Sequence, residues 1–157
     1  MDMSSSMTHY MELLASNQPW NLLIFMAIPV IFAEFIAVTE LQILFQRNLS
    51  GTIKRLNSYA GLFVGFYFVG VFVYLLFNAV IPITAAGAWR GPADVIAVGF
   101  YLLGVVPLLG MALLELKVVG RNADAVSRLK LHAVFVGIFL VVAHIAMIFG
   151  MLNPTIL

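Results

Sequence analysis

Four apolar stretches, residues 19–46, 57–81, 94–119 and 128–152, constrain this chain more than any motif in it. Each is long enough to cross a hydrocarbon core of about 30 Å, which takes about 20 helical residues. In lipid every backbone N–H and C=O must be paired within the structure, so only helices and closed barrels span a bilayer. Leu, Val, Phe, Ala and Gly fill these stretches at nearly all positions rather than at alternate ones, so the expected element is the helix. Only 10% of the 157 residues are charged and the mean hydropathy is +1.07, whereas a water-soluble domain carries roughly 25% charge. A soluble globular domain is therefore excluded. The absence of cysteine excludes disulfides and thiolate metal sites, and a net charge of +1 gives no reason to expect nucleic acid as a partner.

The stretches are bounded by Pro19, Ser50-Gly51, Gly91-Pro92 with Asp94, Gly120 with Asn122, and Asn153-Pro154. The connections are short, so consecutive helices are antiparallel neighbours. The expected fold is an all-α integral membrane protein, an up-down-up-down four-helix bundle over residues 19–157 preceded by a separate segment, residues 1–18. Within that segment Met7, Tyr10, Met11, Leu13 and Leu14 recur at helical spacing, which predicts a short amphipathic helix lying on the membrane surface, with Trp20 as an interfacial anchor.

Seven of the eight basic residues, Arg47, Lys54, Arg55, Lys117, Arg121, Arg128 and Lys130, fall beside the first and third connections, and only Arg90 lies on the other side. Lys and Arg are retained in the cytoplasm, so both termini are expected outside it. No cleaved signal peptide is expected, since a positive n-region is missing and the first apolar run is too long for an h-region.

Ionisable groups inside the hydrocarbon cost several kcal/mol and carry the functional argument. Glu34 lies 15 residues after Pro19 and 13 before Arg47, about the bilayer midplane. An unpaired carboxylate there needs a partner or gives up its charge. His144, a few residues outward of the middle of the fourth helix, is the expected partner, with Tyr67 and Tyr74 near the same depth. Glu40, Glu115 and His132 form a second group, each within about two turns of the basic end. Two carboxylates and an imidazole suit iron, manganese or zinc; they equally suit the mouth of a proton path, or carboxylates pairing with Lys117, Lys130 or Arg47.

Three weaker patterns complete the set. His144 with Met26 opposite would make a single haem b site, although His132 and His144, twelve residues apart, do not share a helix face. Met3, Met7, His9 and Met11 are soft and borderline ligands of the kind that select Cu(I). Gly61, Gly65 and Gly70 form a small-residue strip suited to close packing, within the bundle or across a homodimer or larger complex. Pro29 and Pro107 leave the carbonyls of Phe25 and Leu103 without their usual donors.

The segment Thr8-His9-Tyr10-Met11-Glu12-Leu13-Leu14, then Pro19-Trp20-Asn21-Leu22-Leu23, Ala33-Glu34 and Thr39-Glu40-Leu41, resembles a family of small bacterial inner-membrane proteins loosely labelled permease-like. The resemblance implies a bacterial inner-membrane location and transfers no substrate or catalytic residue. No Ser-His-Asp set, phosphate loop or dinucleotide fingerprint is present, so an enzyme of the soluble type is not expected. Three functions stay open: a carrier or binder of a proton or transition metal, a haem-bearing electron carrier, and an accessory subunit whose buried polar groups only hold helices together.

Overall fold

The computed structural model describes residues 7–47 and 49–155. Helix α1, His9–Ala15, is followed by four long apolar helices: α2, Trp20–Gln46; α3, Thr52–Ala85; α4, Pro92–Glu115; and α5, Ala125–Met151. All four have the length and composition of membrane spans, and the chain is a multi-pass membrane protein. They close a ring in which α3 packs between α2 and α4, and α5 packs between α4 and α2. Every neighbouring pair is antiparallel, and the first and last of the described residues lie at one end of the bundle, where Thr8 meets Gly150.

Two spans run longer or shorter than the apolar pattern suggests. Helix α3 begins at Thr52, five residues before the run at 57, because Lys54 and Arg55 can lie along a helix with their heads at its end. Helix α4 stops at Glu115 although apolar residues continue to Val119. Lys117 and Gly120 take positive φ and turn the chain back, with the Val118 N–H bonded to the Leu113 carbonyl at 2.9 Å.

Prolines shape three of the spans. Ahead of Pro29 the residues Leu23–Ala27 form a π-turn, and ahead of Pro82 the residues Leu76–Val80 form another, each entered through an Ile-Pro pair. The wider turn lets the Ile28 N–H reach Leu23 and the Ile81 N–H reach Leu76. The carbonyls this loosens find side-chain donors: the Tyr101 hydroxyl donates to Phe25 at 2.5 Å and the Tyr67 hydroxyl to Ile24 at 2.9 Å. In α4 the break before Pro107 falls at Gly104, where a Cβ would press on the Tyr101 carbonyl and the Phe139 ring.

The core is apolar and dense, with Ile36, Val64, Phe68, Leu108, Met111 and Ala146 fully buried. Gly61 and Gly65 are buried inside this bundle. A Cβ on Gly65 would stand 2.6 Å from both Ala112 Cβ and the Leu108 carbonyl, so the residue exists to let α3 and α4 touch. Of the expected strip, therefore, two glycines are spent within one chain and are not available to a homodimer. Only Gly70 faces outward, with open space around it.

Helix α1 is docked across the terminal end of the bundle. Thr8 caps it, accepting from Met11 N–H at 3.3 Å, and donates its hydroxyl to the Gly150 carbonyl at 2.6 Å. Tyr10 and Leu14 are buried, and Gly150 leaves room for the Tyr10 ring, which a Cβ would meet at 2.5 Å. Burial pushes the Tyr10 phenol up to about 12.

Candidate functional site

The strongest polar feature is a chain of four ionisable side chains, one from each span, at the basic end. Glu40 of α2 is hydrogen-bonded to Nδ1 of His132 on α5. The other ring nitrogen, Nε2, faces Glu115 of α4 across 3.6 Å, and Lys54 of α3 donates to that same Glu115 oxygen at 2.7 Å. Glu40 and His132 are 2% and 1% exposed, so the middle of the chain is out of contact with solvent, while Lys54 reaches a groove lined by Ser50, Arg55, Ser58 and Tyr59.

Local sequence explains the placement. Glu40 is seven residues from Arg47 and His132 seven from Ala125, so both sit about two turns inside the same end. Gly61 makes room for the imidazole, since a Cβ there would stand 3.0 Å from Nε2. Beside Glu40, Thr39 back-bonds to the Phe35 and Ile36 carbonyls, and the buried Asn57 amide donates to Thr39 Oγ1 at 2.9 Å and to the Ile36 carbonyl at 3.2 Å. His132 Nε2 and Asn57 Oδ1 are buried without a hydrogen bond.

The three residues expected to share a level are thus brought together, but as an ion-pair chain. No group of three or more His, Asp or Glu side chains among the described residues is placed to hold a metal ion. The ammonium of Lys54 stands where a bound cation would otherwise neutralise Glu115. Lys54 was not among the expected partners; Lys117, Lys130 and Arg47 are all exposed instead. The turn after α4 carries Lys117 away, whereas Lys54, two residues into α3, has its stem along the bundle.

The mid-membrane group divides. Glu34 and His144 line one recess of about 190 Å³ between α2 and α5, and both are exposed toward lipid. Glu34 makes no hydrogen bond or ion pair with any described residue, whereas His144 Nδ1 is bonded to the Leu140 carbonyl at 2.6 Å. Tyr67 and Tyr74 are not part of this group: Tyr67 holds the Ile24 carbonyl, and Tyr74 stacks on Phe25 with ring centroids 5.9 Å apart. Met26 does line the recess with His144. The two residues of the expected haem pair thus share one recess of about 190 Å³.

The residues of the copper pattern fall in two surroundings. His9 is committed to Asp94, with its backbone N–H on Oδ1 at 2.6 Å and its Nδ1 on Oδ2 at 2.5 Å. Arg90 closes the same knot by donating to the Met7 carbonyl at 2.6 Å and pairing with Glu12. Met7 and Met11 line a shallow hollow with Met151, and Met3 lies outside the described residues. Asp94 reads in sequence as helix punctuation and is fully buried in the structure. No charge pattern in the sequence announces it: the Arg90 guanidinium goes to Glu12, and only the Arg90 backbone N–H reaches Asp94, at 3.3 Å.

Residues 5–157 match a family described as a family of unknown function (DUF6803). No curated protein and no solved structure matches the chain. The family description carries no transport label, so the permease-like part of the resemblance gains no support.

Proposed function

We propose, for a chain that belongs to the DUF6803 family and takes no activity from it, that the protein binds and releases a proton at the Glu40–His132–Glu115–Lys54 chain. It does so as a small multi-pass protein of a bacterial inner membrane, with both termini outside the cytoplasm and the basic end inside. The observation that carries this reading is that four spans each contribute one ionisable side chain to a single connected line. With Lys54 positive and both carboxylates negative, the line holds one net negative charge, and a second proton on His132 brings it to neutrality. That proton has a defined place, Nε2, which is buried, unbonded and 3.6 Å from Glu115. Lys54 and Glu115 connect the line to the groove at the basic end, the route by which the proton exchanges with water.

No transmembrane route follows from this geometry. Ile36, Val64, Met111 and Val136, one from each span, fill the level between the ion-pair chain and the recess at Glu34. The proton is therefore bound from one side, as suits a membrane protein that responds to that side or delivers the proton to a partner subunit.

The test is proton counting on the folded protein in bilayers. A pH step followed with an indicator dye and infrared difference spectroscopy should show about one proton per chain more in the wild type than in His132→Gln, with imidazole and carboxylate bands that the variant lacks. Circular dichroism reports whether that variant stays folded. A folded His132→Gln protein that exchanges the same proton with the same bands would refute the reading and leave the ion-pair chain as a fastener of helices.

A further inference from the structure

The recess between α2 and α5 has a different chemistry from the ion-pair chain, and nothing connects the two. Glu34 stands 14 residues from Trp20 and 12 from Gln46, about 21 and 18 Å from the ends of its span. A carboxyl group at that depth is expensive, and this one makes no hydrogen bond or ion pair with any described residue. It therefore contributes nothing to helix association, which sets it apart from every other acid in the spans. His144 shares the recess. A backbone carbonyl can only accept, so the 2.6 Å bond to Leu140 places the imidazole proton on Nδ1 and leaves Nε2 of the neutral ring as a free acceptor.

The remaining walls are apolar and aromatic. Phe25, Phe68 and Phe139 form the deep side, and Gly104, lacking a Cβ, keeps it open. The room, about 190 Å³, can be compared with cavities of roughly 150 Å³ that take up a benzene molecule. It is the size of one substituted six-membered ring. A flat helix face would suit a neighbouring helix; a recess that reaches fully buried Phe68 suits something narrower.

From this we infer that the recess binds the single-ring head of a membrane-dissolved quinol. One ring hydroxyl donates to His144 Nε2, the other bonds to the Glu34 carboxyl, the ring lies against the phenylalanines, and the tail leaves through the lipid-facing opening beside Ile31. The inference concerns binding and orientation, with no redox step.

Glu34 supplies its own probe, because dicyclohexylcarbodiimide is lipid-soluble and labels carboxyl groups within membranes. In purified protein in nanodiscs, Glu34 should be labelled, as read by mass spectrometry, and decylubiquinol should slow that labelling at least fivefold at saturation. Decylubiquinone should protect less, because it has no hydroxyl to offer Nε2. His144→Leu should leave Glu34 labelling intact and remove the protection; His144 holds only its own helix, so this variant is expected to fold. Failure of Glu34 to label would overturn the inference, as would absence of protection or undiminished protection in His144→Leu. Equal protection by decylubiquinone or by oleyl alcohol would assign the recess to acyl chains and overturn it as well.

Discussion

Removing either half of the Glu40–His132 pair should cost far more than removing both. Each side chain is almost wholly buried, and the two are bonded directly to each other. Breaking a buried pair from one side strands a polar or charged group and costs about 3–5 kcal/mol, whereas replacing both partners with apolar residues of similar volume is often close to neutral. His132→Leu leaves the Glu40 carboxylate facing hydrocarbon, and Glu40→Leu leaves the imidazole with Glu115 alone at 3.6 Å. If each single change costs about 4 kcal/mol and the double change about 2 kcal/mol, the coupling is about 6 kcal/mol. Folded domains are stable by only about 5–15 kcal/mol, so the single variants should accumulate poorly and the double variant should recover.

The assay is reversible unfolding in mixed micelles of mild and denaturing detergent, run on the wild type, both single variants and the double variant. Glu115 keeps its Lys54 partner in all four proteins, so the cycle isolates the buried bond. Losses that simply add, with the double variant the least stable, would refute the reasoning and mean that the pair is not a unit.

Three further outcomes follow from particular contacts. Gly65→Ala puts a methyl group 2.6 Å from Ala112 Cβ and the Leu108 carbonyl and should cost about 1–3 kcal/mol, while Gly70→Ala meets nothing and should stay within about 0.5 kcal/mol; paired thermal melts check the contrast. Tyr101→Phe strands the Phe25 carbonyl beside the π-turn and should cost about 1–3 kcal/mol, measured in the same melts, with a smaller loss for Tyr67→Phe, whose bond to Ile24 is exposed. Docking of α1 should weaken between pH 10 and 12: the Tyr10 phenol ionises near 10 when undocked but near 12 when buried, so the undocked form loses its proton first and docking stability falls as pH rises. Hydrogen exchange or proteolysis of residues 9–15 across that range, unchanged in the wild type, would contradict it.

Hydropathy made the architecture legible, because the requirement to pair every backbone group in lipid leaves a 24- to 34-residue apolar run few alternatives to a helix. Helix ends were less legible. Apolar residues continue through Val118 and Val119, and only the positive φ at Lys117 and Gly120, a property of the turn, ends α4 at Glu115. The common level of Glu40, Glu115 and His132 was readable by counting from the basic residues, since depth along a span depends on a rise of about 1.5 Å per residue. Who touches whom at that level was not, because it depends on how each helix is rotated about its axis and on a lysine stem that can reach either way. The docking of α1 was hidden for a related reason. Its partners, Asp94 and Gly150, lie 85 and 142 residues along the chain from His9 and Thr8, and no local pattern reports such contacts.

Rotation also separates the two acids of α2. Glu34 and Glu40 are six residues apart, which turns one about 240° from the other on an ideal helix. When Glu40 points into the bundle toward His132, Glu34 cannot point there too, and it emerges beside α5 facing lipid. The apolar pattern gives no warning, since α2 is hydrophobic on all sides and nothing in its sequence marks the face that packs. The consequence is a division of labour along one helix. Replacing Glu40 removes a bond that joins α2 to α5, so its effect on any activity is mixed with its effect on the fold. Replacing Glu34 removes no bond within the chain, and its desolvation cost is relieved when an apolar residue takes its place. On the quinol inference the Glu34 carboxyl serves a ligand from outside the chain, and Glu34 is therefore the residue where a substitution separates an effect on binding from an effect on the fold.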